Sequence, residues 1–163
     1  MDLVAGARGG KALLAITVSV TRYRHIIHIK DKTQQSVIKA LNQLERKLGH
    51  KNFSSHFKSI TCDNGVEFQD YEGIEKSVFS KKKKRTEVYF AHPYSSFERG
   101  SNENANRLIR RILPKGHTFD VLKQRDVQQV ALWMNKMPRK IFAGKSAKEM
   151  AKGLVLNFEL VKH

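Results

Sequence analysis

Three carboxylates, Asp2, Asp63 and Glu103, stand where acids could do chemistry. The chain carries 31 Lys and Arg against 15 Asp and Glu, a formal net charge of +16. In so basic a background an acid in polar surroundings stands out. Asp63 follows the hydrophobic run Ser59-Ile60-Thr61-Cys62 and precedes Asn64-Gly65. Strand ends are where α/β sheets gather ligands, although an Asp before Asn-Gly also reads as an ordinary turn residue. Glu103 opens a helical stretch, and Asn106 and Arg107, three and four residues on, share its face. Read alone, it could equally be a first-turn acid complementing the helix dipole. Asp2 precedes Leu3-Val4 and reads alone as a terminal residue. Acids of this kind suit magnesium, which takes a few carboxylates, several waters and the oxygens of a substrate phosphate. Two such cations about 3.5–4 Å apart can stabilise the attacking and leaving oxygens of an in-line displacement at a phosphate.

The elements that must position these acids can be read from periodicity. Ala12 to Val20 and Tyr23 to Ile29 read as strands joined at Thr21-Arg22, a hairpin. Val37, Ile38, Leu41, Leu44 and Leu48 recur at helical spacing, which predicts a helix from Gln34 to Leu48, capped by Asp31 or Thr33 and stopped by Gly49. A strand over Phe57 to Cys62, a helix over Phe68 to Val78 and a strand over Thr86 to Ala91 follow. The run Lys81-Lys82-Lys83-Lys84-Arg85 repels itself and reads as a solvated loop. Helices are expected over Ser101 to Leu113, Leu122 to Met137 and Ala147 to Lys152, the last capped by Ser146, with Pro114-Lys115-Gly116 and Pro138 as breaks. Trp133, between Leu132 and Met134, is expected in the core. The order gives a mixed α/β fold, a sheet with helices packed on it. The length suits one domain, over residues 1–155, with a tail at 156–163.

Two segments, Ser59 to Phe68 and Tyr89 to Arg111, together resemble the transposases of the IS-thirty family of bacterial insertion sequences. The pattern Gly100-x-x-Glu103-x-x-Asn106 also resembles retroviral integrases, and a weaker likeness extends from Asp2 to about Met150. The resemblance implies a ribonuclease H-like mixed five-stranded sheet flanked by helices, here with its first strand truncated just before Asp2. It implies a metal-dependent DNA strand-transferase or nuclease that cuts a strand and joins the exposed 3′-hydroxyl to target DNA, with no covalent enzyme intermediate. Asp2, Asp63 and Glu103 would hold two Mg²⁺ or Mn²⁺ ions. Glu98 competes for the role of Glu103, and Asp31, which a helix cap explains, for that of Asp2. Asn64, His92 and Asn106 would support the site or touch DNA, with His92 equally readable as structural. An N-terminal helix-turn-helix region, usual in the family, is not expected within this sequence, and Ser19-Val20 stands where a charged pair is usual. Extra length falls at Lys81 to Arg85, where a loop tolerates insertion. The alternative is a truncated, inactive DNA-binding remnant, and a weaker one is a nuclease that cuts without joining.

The charge itself points to a polyanion partner, first of all nucleic acid. Arg107, Arg110 and Arg111 could meet backbone phosphates beyond Glu103, or form a solvated helix face. Lys81, Lys82, Lys83, Lys84 and Arg85 could hold DNA or keep a loop soluble. A lone cysteine, Cys62, gives neither a disulfide framework nor a zinc site. Met1 to Gly10 holds no signal-peptide run, and Ala12 to Val20 is too short to span a bilayer. The expectation is a cytoplasmic, nucleoid-associated protein with no membrane partner. A homo-oligomer on DNA follows from the resemblance, since two element ends must be brought together.

Overall fold

Burial of one strand on both faces organises the molecule. The computed structural model describes residues 1–7, 10–91 and 96–153, with 96–102 and 153 described by backbone alone. β2, Ala12–Thr17, has five of its six residues buried. Ala12, Leu14 and Ile16 turn to one apolar cluster, Leu13 and Ala15 to another, as strand alternation requires. β1, Asp2–Ala5, and β3, Arg24–Ile29, flank it in antiparallel register, with Asp2 opposite Ala15 and Thr17 opposite Arg24. The hairpin is shorter than its apolar run suggests. β2 stops at Thr17 because Val18 N donates to Tyr23 O at 2.8 Å and Arg22 N to Val18 O at 2.8 Å, closing a turn in which Arg22 has φ +56°.

A second, parallel pair is formed by β4, Ser59–Cys62, and β5, Glu87–Phe90. The five strands are thus arranged as sheets of three and two rather than as the single sheet expected. The Met1 amine donates to Thr61 O at 2.6 Å, so the start of β1 lies beside β4.

Helices cover both faces of the larger sheet. α1, Gln34–Leu48, runs over the predicted span. Thr33 caps it by accepting from Ser36 N at 3.3 Å, while Asp31 accepts from the Thr33 and Ser36 hydroxyls at 2.5 Å each. Gly49, at φ +80°, ends it in a conformation that favours glycine. α2, His50–His56, follows at once. With Phe53, Phe57 and the β4 residues Ile60 and Cys62 it completes the first cluster. The region expected as a helix over 68–78 is instead a 3₁₀ turn, Val66–Phe68, and a short α3, Tyr71–Glu75. Gly73 in α3 abuts Ile38 so closely that any Cβ would collide.

The other face is covered by α4, Ser96–Ile112, and α5, Gln124–Lys136, through Ile109, Val127 and Met134, with Phe119 from the segment that joins them. α5 also closes the outer edge of β3. Asn135 Oδ1 accepts from Arg24 N at 2.8 Å and its Nδ2 donates to Arg24 O at 2.9 Å. Gln124 Oε1 accepts from His28 N at 3.0 Å and its Nε2 donates to Ile26 O at 3.4 Å. α6, Ala147–Gly153, packs on α5. Ser146 caps it with Glu149 as reciprocal partner.

Two sequence expectations are corrected. Trp133 is 40% exposed, because the apolar face of α5 is set by Val127, Val130 and Met134. Arg85 does not belong to a solvated loop: it is 1% exposed. Its Nε donates to Ile74 O at 2.7 Å, and its Nη1 to Asn42 Oδ1 at 2.6 Å and Glu45 Oε2 at 3.3 Å. Glu45, also buried, further accepts from Ser77 Oγ at 2.5 Å, Val78 N at 2.9 Å and His50 Nδ1 at 3.0 Å. Burial pushes its carboxyl up, but these hydrogen bonds and the Arg85 charge win and hold it below the usual range. Residues 154–163, which include the expected tail, lie outside the described residues.

Candidate metal and nucleic-acid site

The first strand and the fourth bring two of the predicted acids to one region. Asp2 opens β1 on the sheet face that α4 covers, since Val4, two residues on, joins the cluster beneath α4 and α5. Asp2 Oδ1 accepts from Leu3 N at 2.8 Å, and Oδ2 accepts from Asn106 Nδ2. Asp63 stands just past β4, and its Oδ1 accepts from Gly65 N at 3.2 Å, the turn geometry that Asp-Asn-Gly encodes. Both acids act on the Met1 amine. Burial pushes that amine down, while Cys62, Asp2 and Asp63 pull it up.

Glu103 stands on α4 one turn before Asn106 and is exposed. Asn106 therefore fixes the helix of Glu103 to the strand of Asp2. The Asn106 Oδ1 is buried and has no hydrogen-bond partner among the described residues. His92 lies outside the described residues, as does the side chain of Glu98. Asp31 is not the cap itself but supports the Thr33 cap, its Oδ1 accepting from the Thr33 and Ser36 hydroxyls.

The donor chemistry fits a hard divalent cation, being carboxylate and amide oxygen with no soft ligand. Cys62 is no competitor, because burial raises its thiol to about 11. The arrangement is less complete than the chemistry. Among the described residues no three His, Cys, Asp or Glu side chains are grouped to hold a metal ion. Asp2 and Asp63 both lie within electrostatic reach of the Met1 amine, and Glu103 stands one helical turn from Asn106, which holds Asp2. Glu67 carried no signal in the sequence. Its carboxylate folds over Gly65, so close that a Cβ there would lie 2.8 Å from it. A lone Glu in a turn carries no periodic signal that could have flagged it.

The basic residues divide. Arg107, which donates to Asn104 Oδ1 at 3.2 Å, and Arg111 are exposed on α4. Lys81, Lys82 and Lys83 are exposed, as is Asn64 in its turn. Arg110 is tied down instead. Its Nη2 donates to Ala5 O at 2.5 Å, and its guanidinium lies 5.9 Å from the Phe119 ring centroid, so it joins α4 to β1. Lys84 pairs with Glu75 at 2.7 Å. Arg85 is withdrawn as a DNA contact because it is buried on Glu45. No helix among the described residues is long and apolar enough to cross a membrane.

Comparison with known proteins agrees with this geometry at the level of the fold. The chain superposes on a chain of the simian T-cell lymphotropic virus intasome in complex with PP2A regulatory subunit B56 gamma, with a TM-score of 0.64 and 19% identity, over 91% of this chain and 51% of that one. The likeness is one of fold, a mixed α/β core. No family model matches the chain, but curated relatives do. It is 34% identical over 152 residues to a probable transposase for insertion-like sequence element IS1161 of Streptococcus salivarius, covering 92% of this chain and 40% of the relative. It is 34% identical over 140 residues to the transposase for IS4351 of Bacteroides fragilis, covering 86% and 40%. Transposase InsI for IS30A of Escherichia coli K12 shares 33% over 149 residues, 91% of this chain and 36% of the relative. Over these residues the chain is a homologue of IS30-family insertion-sequence transposases, 33–34% identical to these three. It spans about two fifths of the length of the curated relatives it matches.

Proposed function

We propose that this chain is the DNA strand-cutting and strand-joining core of an insertion-sequence transposase. The observation that supports the reading is the Met1–Thr61 contact, which sets the start of β1, with Asp2, beside β4, which Asp63 follows, while Asn106 fastens the helix of Glu103 to Asp2. We read the two sheets as parts of one mixed five-stranded, ribonuclease H-like sheet, with Met1–Thr61 as its seam.

Asp2, Asp63 and Glu103 would hold two Mg²⁺ or Mn²⁺ ions. Bound there, the ions would supply Lewis-acid activation of a water and then of a DNA 3′-hydroxyl, together with charge neutralisation at the phosphate. The chain's own part is placement. Asn106 orients the Asp2 carboxylate, and the Gly65 amide orients that of Asp63. Arg107 and Arg111 on α4, with Lys81, Lys82 and Lys83, are suited to holding backbone phosphates by charge. Asn64, exposed beside Asp63, is placed to meet the same strand. No side chain is required as a nucleophile. The partners are DNA, both element ends and target, and further copies of the chain.

The absence of a closed three-acid group among the described residues favours one competing reading, a DNA-binding remnant without activity. Plasmid nicking in Mg²⁺ or Mn²⁺ separates the two, comparing the chain with Asp63→Asn and Glu103→Gln. The enzyme reading expects metal-dependent nicking that both substitutions abolish. DNA binding with no metal-dependent cutting would overturn it in favour of the remnant.

A further inference from the structure

The β4–β5 pair keeps one of its faces exposed. Parallel strands are ordinarily covered on both faces and apolar throughout. Here Ile60, Cys62 and Val88 turn to the first apolar cluster. Strand alternation turns Ser59, Thr61, Glu87 and Tyr89 the other way. All four are exposed, Tyr89 at 54%. Thr61 stands opposite Tyr89, and Ser59 opposite Glu87. Asp2 shares this side, since Met1 and Leu3, its neighbours in the chain, pack on the first cluster. The face is thus a polar shelf that carries one aromatic ring and opens toward the carboxylates. Asp63 follows Thr61 by two residues, so Tyr89 lies about 7 Å from it along the strands and about 5 Å across.

The ring is restrained. Tyr89 Oη donates to Glu87 Oε2 at 2.9 Å, two residues back along β5. Side chains at such positions start about 7 Å apart, so the bond draws the ring along the strand, and its exposure leaves the ring open to a partner. Every nucleic-acid base offers a flat π-face to a ring of this kind, whatever the sequence. Charge decides which part of a strand comes here. The Glu87 carboxylate on the shelf repels phosphate. Arg107, exposed on α4 one turn past Glu103, attracts it. Asn106 and Arg110 fasten that helix along β1, at Asp2 and at Ala5 O.

We propose that Tyr89 is a stacking platform for a base of a single DNA strand that leads to Asp2 and Asp63. It is a positioning residue and takes no part in bond making. The phosphates of the strand lie toward α4, and its bases turn to the shelf, where the Ser59 and Thr61 hydroxyls meet base or sugar edges. Bases inside a duplex have both faces covered, so the platform favours a frayed or single-stranded segment. The inference rests on the DNA reading above and adds which part of the strand this chain grips.

The test uses the full chain without divalent metal, so that no cutting intervenes, beside Tyr89→Ala, Tyr89→Phe and Arg107→Gln. Binding of a labelled oligothymidine strand, an abasic strand of the same length and a blunt duplex is followed by fluorescence anisotropy. Tyr89→Ala is expected to weaken binding of the oligothymidine by roughly 5–150-fold, with an unchanged salt slope and little change on the duplex. On the abasic strand, equal in charge, that loss disappears. Tyr89→Phe keeps the ring and most of the affinity. Arg107→Gln instead lowers the slope of log K against log[salt] by about 0.7. Tyr89→Leu, of similar bulk but without a π-face, repeats the comparison should the alanine variant fold poorly. Equal oligothymidine affinity in the parent and Tyr89→Ala, or an equal loss on the abasic strand, would overturn the proposal and leave the DNA reading standing. So would duplex binding without single-strand binding. No binding of any of these DNAs by any chain would overturn the DNA reading, and this proposal with it.

Discussion

At the scale of single residues, Asn106 matters because it spends its amide on a carboxylate. It donates to Asp2 and leaves its own Oδ1 buried without a partner among the described residues. A side chain so placed orients an acid that would ligate metal without replacing it. Asn106→Ala is therefore expected to lower metal-dependent nicking by roughly 10–100-fold, the usual effect of removing a ligand's support. Its melting midpoint should stay near that of the parent, since Asn106 fills no apolar cluster. A large fall in the midpoint with full nicking per folded molecule would show that the contact serves stability instead. The sequence pattern Gly-x-x-Glu-x-x-Asn singled out Glu103 and Asn106, and their shared helix face followed from spacing. That Asn106 would meet Asp2 was not readable, because the contact joins residues at opposite ends of the core.

At the scale of elements, the basic segment between α3 and β5 shows where charge patterns mislead. Five cations in a row look like a loop kept in water. Four of them are exposed, Lys84 among them although it pairs with Glu75, and Arg85 turns inward to Glu45 on α1. The inward turn is offset by four hydrogen bonds of the Arg85 side chain, to Ile74 O, Gly73 O, Asn42 Oδ1 and Glu45 Oε2, which sequence separation hides. Glu45→Ala leaves Arg85 buried without its carboxylate and is expected to cost about 3–5 kcal/mol of stability, read by denaturant unfolding. A loss under about 1 kcal/mol would mean that Arg85 escapes to water. By contrast α1 was legible to the residue. Its Thr33 cap, apolar spacing and Gly49 stop all agree, and local signals suffice when every one points the same way. α2 was not legible, having one buried residue, Phe53, to mark it.

At the scale of the molecule, stability should depend on pH through His25. Its ring stacks edge-on to Phe57 at 5.6 Å and lies 5.2 Å from Tyr23. Burial, then the charges of His56 and Lys47, lower its pKa to about 3. The folded value lies below the unfolded one, near 6.5, so the unfolded chain binds the extra proton between them. His25 thus contributes stability that is present above pH 6.5 and is lost as pH falls toward 3, at up to about 1.4 kcal/mol per unit. Unfolding free energies at pH 7 and pH 5 check it, with His25→Gln expected to flatten the slope. An unchanged slope in that variant would remove His25 as the cause. The mixed α/β class was legible from the alternation of strand and helix patterns. The division of the strands was not, because pairing between distant strands leaves no local mark.

The two side-chain amides that α5 lays along β3 have a consequence for the life of the chain among its copies. An open sheet edge is a template on which a stray strand can grow. Asn135 and Gln124 reproduce the hydrogen bonds of a missing strand at the two ends of β3. A helix thus impersonates a strand, and the edge most able to seed aggregation is filled from within the fold.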